Sequence, residues 1–395
     1  MKTAVKGSSV VRYLVVQTKQ IGDVLVSTAL CDNLKKNDPT SEVHYLVMDY
    51  CAGMAQGDPY IDKLIVIDKS RRNNWRYLWC LMMQLRQQHY DVVINSQGQM
   101  IGLLTCLFSG AKMRIGFDAF PWRLGHNRIV RFGLDTEHQG NCSMLDDRFS
   151  LLKPLKLAKE DRNYHLWLSD VELAQAKQTL SAAGIDQQRP LIALGVNSLG
   201  SYKRWPIDYF AQLAQWLIEQ YGAQILVYAA PNERDYNYQL RRLLPAHLQA
   251  MVFDRIDTAS IRELAGLLNH CQLFVGNDTG PRHIAQALDI PLLTIVAPTG
   301  AKSIANPLNH PRYQAIDVWD VLGEQQKQQL LPKLKRDGND QELFRQLTPQ
   351  HVIPVVTALI SKQCRITKAG VNCIYRYPFN DLLKRQQCLP NLIRL

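Results

Sequence analysis

Four polar segments stand where a short apolar run gives way to a helical pattern, and their residue types suit the handling of a phosphate-bearing ligand. The sharpest is Gly276-Asn277-Asp278-Thr279-Gly280-Pro281-Arg282-His283. Asp278 or Thr279 can cap the helix that follows, Gly280 lets backbone approach a ligand closely, and Pro281 suits a first helical turn. A helix start after a strand offers free N–H groups to phosphate, and Arg282 and His283 add side-chain donors at the same end. The plain alternative is an ordinary strand-to-helix turn.

The second segment, Thr18-Lys19-Gln20-Ile21-Gly22-Asp23, places an acid at the corresponding position. A carboxylate at a helix N-terminus is stabilised as the anion, which suits either a cap or a general base facing a cleft. The third, Asn197-Ser198-Leu199-Gly200-Ser201-Tyr202-Lys203-Arg204-Trp205-Pro206, leaves the end of a strand, where open α/β sheets bind ligands. There Lys203 either neutralises a diphosphate leaving group or is merely solvated. In the fourth, Ala230-Pro231-Asn232-Glu233, the acid either accepts from ribose hydroxyls or caps a helix.

The elements that must position these segments follow from hydrophobic periodicity. Strands are expected at 12–17, 43–48, 64–67 and 91–95, with helices at 24–35 and 75–88. Residues 116–168 lose this rhythm and read as loops, followed by a long helix at 171–183 that Gly184 stops. A second series begins with strands at 191–196 and 224–228 around a helix at 206–221. It continues with helices at 260–269 and 281–288 and strands at 272–276 and 291–296. Strands alternating with helices imply parallel sheets covered on both faces, so two doubly wound units with a cleft between them are expected.

A chain of 395 residues fits two domains, and 46% apolar with 21% charged residues is ordinary globular composition. No apolar run approaches membrane-spanning length, and no secretory signal is read at the N-terminus, so a cytoplasmic location is expected. Nine scattered cysteines argue for reduced thiols rather than a disulfide framework. Cys364, Cys373 and Cys388 lack the close pairing of zinc ligands, so no metal site is expected. The net charge is +11, and 361–395 carry seven Lys or Arg against one Asp. With Tyr375, Tyr377 and Phe379 interleaved, this tail suits an anionic membrane surface or nucleic acid, or is a solvated extension. Neither domain has a Gly-x-Gly-x-x-Gly turn, which counts against a dinucleotide-dependent oxidoreductase.

Taken together, in this order and at these spacings, the four segments resemble the ADP-heptose:lipopolysaccharide heptosyltransferases of glycosyltransferase family 9. The resemblance runs from Ile21-Gly22-Asp23 to Ala297-Pro298-Thr299-Gly300, with Ile94-Asn95-Ser96-Gln97-Gly98 and Arg114-Ile115-Gly116-Phe117-Asp118 as further similar segments. It implies an α/β GT-B fold of two Rossmann-like domains facing a cleft. Residues 1–175 would bind the acceptor and 185–345 the nucleotide sugar, with 346–395 as a basic extension. It also implies a metal-independent, inverting transfer of heptose from ADP-heptose to a lipid-borne sugar hydroxyl, with no cofactor and no nucleic-acid partner. On that reading Asp23 is the general base and Lys203 stabilises the departing diphosphate. Thr279, Gly280 and His283 would hold the diphosphate, Glu233 the ribose, and Asp278 the sugar or the loop, with Asn197 and Ser198 as further donor contacts.

The family usually has a basic residue six before the catalytic acid; here Gln17 stands there, with Lys19 near enough to substitute. The proline common in the following helix is absent, and Asn95 occupies a position that is often an acid. An anionic acceptor would meet Lys19, Arg71, Arg72, Arg76 and Arg123, because arginine forks bind carboxylate and phosphate in bidentate fashion. The basic tail would then touch the inner face of the cytoplasmic membrane, or pack across the two domains. A different nucleotide-sugar donor, or a homologue that binds without catalysis, are the alternatives.

Overall fold

The computed structural model describes residues 10–132, 144–198, 200–228, 234–305, 310–337, 340–364, 366–367, 370–371 and 391–394. The chain divides into two compact units, Met1–Trp167 with Cys388–Leu395, and Leu168–Gln387. Each unit is built on a parallel sheet.

In the first unit the short apolar runs become β1 (Arg12–Val16), β2 (Glu42–Met48), β3 (Lys63–Ile67), β4 (Val92–Asn95), β5 (Met113–Phe117) and β6 (Arg128–Val130). They are linked by α1 (Ile21–Asn37), α2 (Trp75–Gln87) and α3 (Met100–Phe108), and α4 (Met144–Ser150) follows them. The core strand residues are buried on both faces, as a sheet flanked by helices requires, so these strands read as continuous apolar runs. Residues 116–168, expected as loops, contain the end of β5, all of β6 and α4. Arg128 and Ile129 of β6 are exposed, so this edge strand lacks the apolar run that marks a buried one.

The second unit opens with α5 (Asp170–Ala182), started by a capping box in which Ser169 and Glu172 satisfy each other's backbone N–H groups. Its sheet comprises β7 (Leu191–Gly195), β8 (Gln224–Val227), β9 (Val252–Phe253), β10 (Leu273–Asn277), β11 (Leu292–Ile295) and β12 (Tyr313–Ile316). The connecting helices include α6 (Ile207–Tyr221), α7 (Arg234–Arg242), α8 (Ile261–Leu268) and α9 (Gly280–Ala287). A last helix, Pro349–Gln363, sends Val352, Val356, Leu359 and Ile360 into the core that α6 and β7 share. The first part of what reads as a terminal extension is therefore integral to this unit.

Beyond that helix, β13 (Ile366–Thr367) and β14 (Gly370–Val371) form a small antiparallel pair. The strand β15 (Asn391–Arg394) then pairs in parallel with β3, so the first sheet has the order β15-β3-β2-β1-β4-β5-β6. The second sheet has the order β12-β11-β10-β7-β8-β9. Both are doubly wound, Rossmann-like sheets, the pairing of domains that defines a GT-B fold. Among the described residues no helix is long and apolar enough to cross a membrane.

Candidate active site

Each sheet reverses its winding once, between β1 and β4 in the first unit and between β7 and β10 in the second. Ligands of open α/β sheets bind outside the carboxyl ends of the strands at that reversal. Asp23 follows β1 and Gln97 follows β4; Lys203 follows β7 and Thr279 follows β10. Three of the four chemistry-bearing segments thus fall at the two switch points.

In the first unit Asp23 lies in the opening turn of α1, its side chain about one-fifth exposed. Its Oδ1 accepts from Nη2 of Arg148 at 2.9 Å, and among the described residues Oδ2 has no hydrogen bond. Arg148 comes from α4 and is buried; its Nε donates to Ser27 Oγ at 3.2 Å. Burial pulls the Arg148 guanidinium below its ordinary pKa, and the neighbouring Asp23 carboxylate works against that shift. Beneath the turn, Gln17 is fully buried. It donates to Ser96 Oγ at 3.0 Å and Ser27 Oγ at 3.3 Å, while its Oε1 accepts from the Lys19 N–H at 3.1 Å. Gln17 is thus a neutral brace that holds the turn to β4.

Lys19 is exposed, and its carbonyl accepts from the Tyr50 hydroxyl at 3.0 Å. Tyr50 also carries the Lys69 ammonium over its ring at 4.9 Å, which ties the 69–72 loop to the Asp23 turn. Arg71, Arg72 and Arg76 on that loop and the start of α2 are exposed, with Arg71 over the Tyr77 ring and Arg76 over Trp75. Arg123 stands on the turn after β5 and is engaged with Asp118 at 2.9 Å. That turn reaches the others because Trp122 lies against Gly98, where a Cβ would come within 2.2 Å of its ring. All five expected acceptor-side cations therefore stand at the carboxyl edge of one sheet.

In the second unit the switch point is held by Asn277, which is fully buried. Its Nδ2 donates to the Val196 carbonyl at 2.8 Å, and its Oδ1 accepts from the Trp205 N–H at 2.9 Å. The buried Trp205 donates through its indole N–H to the Leu347 carbonyl at 2.7 Å, fixing the loop that carries Lys203. Lys203 itself is half-buried; its side chain makes no hydrogen bond or ion pair among the described residues, and its Nζ lies 5.8 Å from the Tyr202 ring centroid. Gly276 faces Gly195 across the strand pair, and a Cβ on it would stand 2.6 Å from the Gly195 Cα. Only glycine lets the two backbones approach so closely here.

Thr279 is the N-cap residue of α9, yet its hydroxyl makes no capping bond and donates to the Asn277 carbonyl at 3.4 Å. Asp278 is partly exposed and lies 3.5 Å from Arg282 Nε. Arg282, expected as a ligand donor, is instead fully buried and bonds Gln286 Oε1 at 2.7 Å. His283 is buried beside it; burial, and then the Arg282 charge, push its pKa well below the ordinary value, so the ring is neutral at neutral pH. Asn197 and Ser198 are buried at the end of β7, and Asn197 Nδ2 donates to Asn237 Oδ1 at 2.6 Å. Glu233 lies outside the described residues, as do Tyr375, Tyr377, Phe379, Cys373 and Cys388. Cys31, Cys51, Cys80, Cys106 and Cys271 are free thiols.

Sequence reasoning missed Arg148 and Asn237. Neither sits in a motif, and each reaches its partner only through the fold: Arg148 is 125 positions from Asp23.

The family model for glycosyltransferase family 9 (heptosyltransferase) matches residues 78–334. Lipopolysaccharide heptosyltransferase 2 of Salmonella typhimurium is 23% identical over 378 residues, covering 89% of this chain and 99% of that protein. Among solved structures, a family 9 glycosyltransferase from Veillonella parvula superposes with a TM-score of 0.72 at 20% identity, covering 89% of this chain and 97% of that one. The ADP-heptose lipopolysaccharide heptosyltransferase II of Escherichia coli superposes at 0.69 and 20% identity, covering 89% and 99%. The chain, a GT-B enzyme with its polar segments at both switch points, belongs to glycosyltransferase family 9, the heptosyltransferases.

Proposed function

We propose that this glycosyltransferase moves a heptose from ADP-heptose to a sugar hydroxyl of a lipopolysaccharide core, with inversion and without a metal. The observation that carries the reading is the Asp23 carboxylate at the first switch point, engaged by Arg148 through one oxygen only. Its Oδ2, without a hydrogen bond among the described residues, takes the proton of the acceptor hydroxyl as that oxygen bonds to the anomeric carbon. The bond from the same carbon to the β-phosphate oxygen breaks, and ADP departs. Negative charge grows on the diphosphate in that transition state, where the Lys203 ammonium, unengaged among the described residues, supplies a counter-charge.

The second unit takes the donor. Backbone N–H groups at the start of α9, with Thr279 and Gly280, suit the diphosphate, and the neutral His283 ring offers a hydrogen bond without competing charge. Asp278, Asn197 and Ser198 complete the polar rim, and Glu233 is assigned to the ribose. The first unit takes the acceptor, whose carboxylates and phosphates suit Lys19, Arg71, Arg72, Arg76 and Arg123. A lipid-borne acceptor calls for work at the inner face of the cytoplasmic membrane.

Titration calorimetry with ADP-heptose, other nucleotide sugars and NAD tests the donor. Tight binding should be confined to ADP-heptose and ADP. A preference for another nucleotide sugar would replace the donor assignment, and binding of NAD would overturn the reaction class.

A further inference from the structure

We propose that the face formed by α2, α3 and the 119–125 turn docks the first unit on an anionic lipid bilayer. This deepens the proposed function, since it supplies the surface through which a lipid-borne acceptor would be reached.

The argument starts with α3, whose sequence Met-Ile-Gly-Leu-Leu-Thr-Cys-Leu-Phe contains no charge and only Thr105 as a polar side chain, itself buried. Its outer side is as apolar as its inner side: Met100 and Leu107 are exposed, and Leu104 and Phe108 are half-buried. A helix apolar all round normally has cover on every side. Next to it, Trp75 and Trp79 stand one turn apart on the outer face of α2, 71% and 52% exposed. The Trp79 ring meets Phe108 edge-on at 5.7 Å, joining the two helices into one surface. The following turn adds Leu124 and Phe120, 65% and 80% exposed, and is seated on α3 where Gly125 packs against Leu103 and Cys106. Of the fifteen large apolar side chains exposed among the described residues, eight fall between 75 and 132. Scattered singly they would need no explanation; those on α2 and α3, joined through the Trp79–Phe108 contact, mark an interaction surface.

Charge decides what covers it. Residues 69–132 hold ten Lys or Arg and two acids, Asp91 and Asp118, so this stretch carries +8 of the chain's +11. Asp118 is engaged by Arg123, and Asp91 accepts from the Arg12 N–H at 3.0 Å. Arg86 and Lys112 are exposed near the ends of α2 and α3. A second copy of the chain would bring like charge against like. Anionic headgroups complement the cations, while tryptophan rings settle at headgroup depth with apolar neighbours below them.

The test is co-sedimentation of the full chain with phosphatidylcholine vesicles made with and without phosphatidylglycerol, read alongside tryptophan quenching by brominated acyl chains. Wild type should bind the anionic vesicles, more weakly as salt rises, and show quenching. Arg86→Gln with Lys112→Gln should weaken partitioning by roughly thirtyfold, and Trp79→Gln with Leu107→Gln should abolish quenching. Calorimetric affinity for the nucleotide donor should be unchanged in both variants, which separates this idea from the donor assignment. Failure of wild type to bind anionic vesicles overturns the proposal, as does undiminished binding by both variants. Self-association that Trp79→Gln with Leu107→Gln converts to monomer, without lipid binding, also overturns it in favour of an interface between copies.

Discussion

Replacing Asp23 by alanine removes the proposed base and also strips the buried Arg148 of its anionic partner. Removing one member of a buried ion pair costs about 3–5 kcal/mol, because the other charge stays desolvated. Here Ser27 Oγ at 3.2 Å and the Phe117 ring, 5.9 Å from the guanidinium carbon, remain beside Arg148, so the low end, about 3 kcal/mol, applies. In a unit of this size that lowers the melting midpoint by about 6–12 °C. Arg148→Met should cost less, about 1 kcal/mol, because Asp23 is partly solvated and stays at a helix start that favours an anion. The double variant, which leaves no orphaned charge, should melt several degrees above Asp23→Ala. Turnover should remain absent in both, with donor affinity within a few-fold of wild type. Scanning calorimetry beside a transfer assay reads all three. A double variant melting at or below Asp23→Ala would refute the pairing argument, and restored turnover would refute the base assignment.

Three further expectations are independent of that pair. Lys203→Ala should lower kcat with little change in stability, since the side chain makes no hydrogen bond or ion pair among the described residues; an unchanged kcat would remove it from the leaving group. Gly276→Ala must push β10 from β7, so donor binding measured by calorimetry should be lost and the second unit weakened; a variant that binds normally would show that the strands can part without cost. The third concerns the buried acids Asp32 and Asp58, with Lys36 and Asp161 nearby. Burial raises both carboxyls, Asp58 to about 7, and Asp58 raises Asp32 further while Lys36 opposes the shift. Such an acid keeps its proton in the folded state after losing it in the unfolded one. Stability should therefore fall as pH rises from about 4 to about 7, by about 1.4 kcal/mol per pH unit for one proton. Asp58→Asn should flatten that dependence in urea titrations at stepped pH, and an unchanged slope would exclude the pair as its source.

The alternation of apolar runs and amphipathic helices was legible because buried parallel strands are short, β-branched and bounded by polar turns, as at β1, β7 and β10. Legibility failed where tertiary context overrides pattern. The strand β6 is too exposed to show an apolar run, and α3 is too uniformly apolar to show a helical period. The last helix carries Pro354 inside it and sits in a stretch that reads as basic extension. Of the candidate site, the turns with Asp23, Lys203 and Thr279 were readable, because a strand end, a polar loop and a helix start are adjacent in the chain. The roles of Gln17 and Arg282 were not, since whether a polar side chain faces the ligand or the core depends on neighbours that sequence does not name.

The strand β15 has a consequence for synthesis on the ribosome. Until residues 391–394 emerge, the outer backbone groups of β3 lack the partner they have in the finished sheet. At about 5–20 residues per second, that delay is tens of seconds after β3 itself appears. Throughout it the nascent first unit presents an open strand edge, the kind of surface on which growing chains pair wrongly with one another.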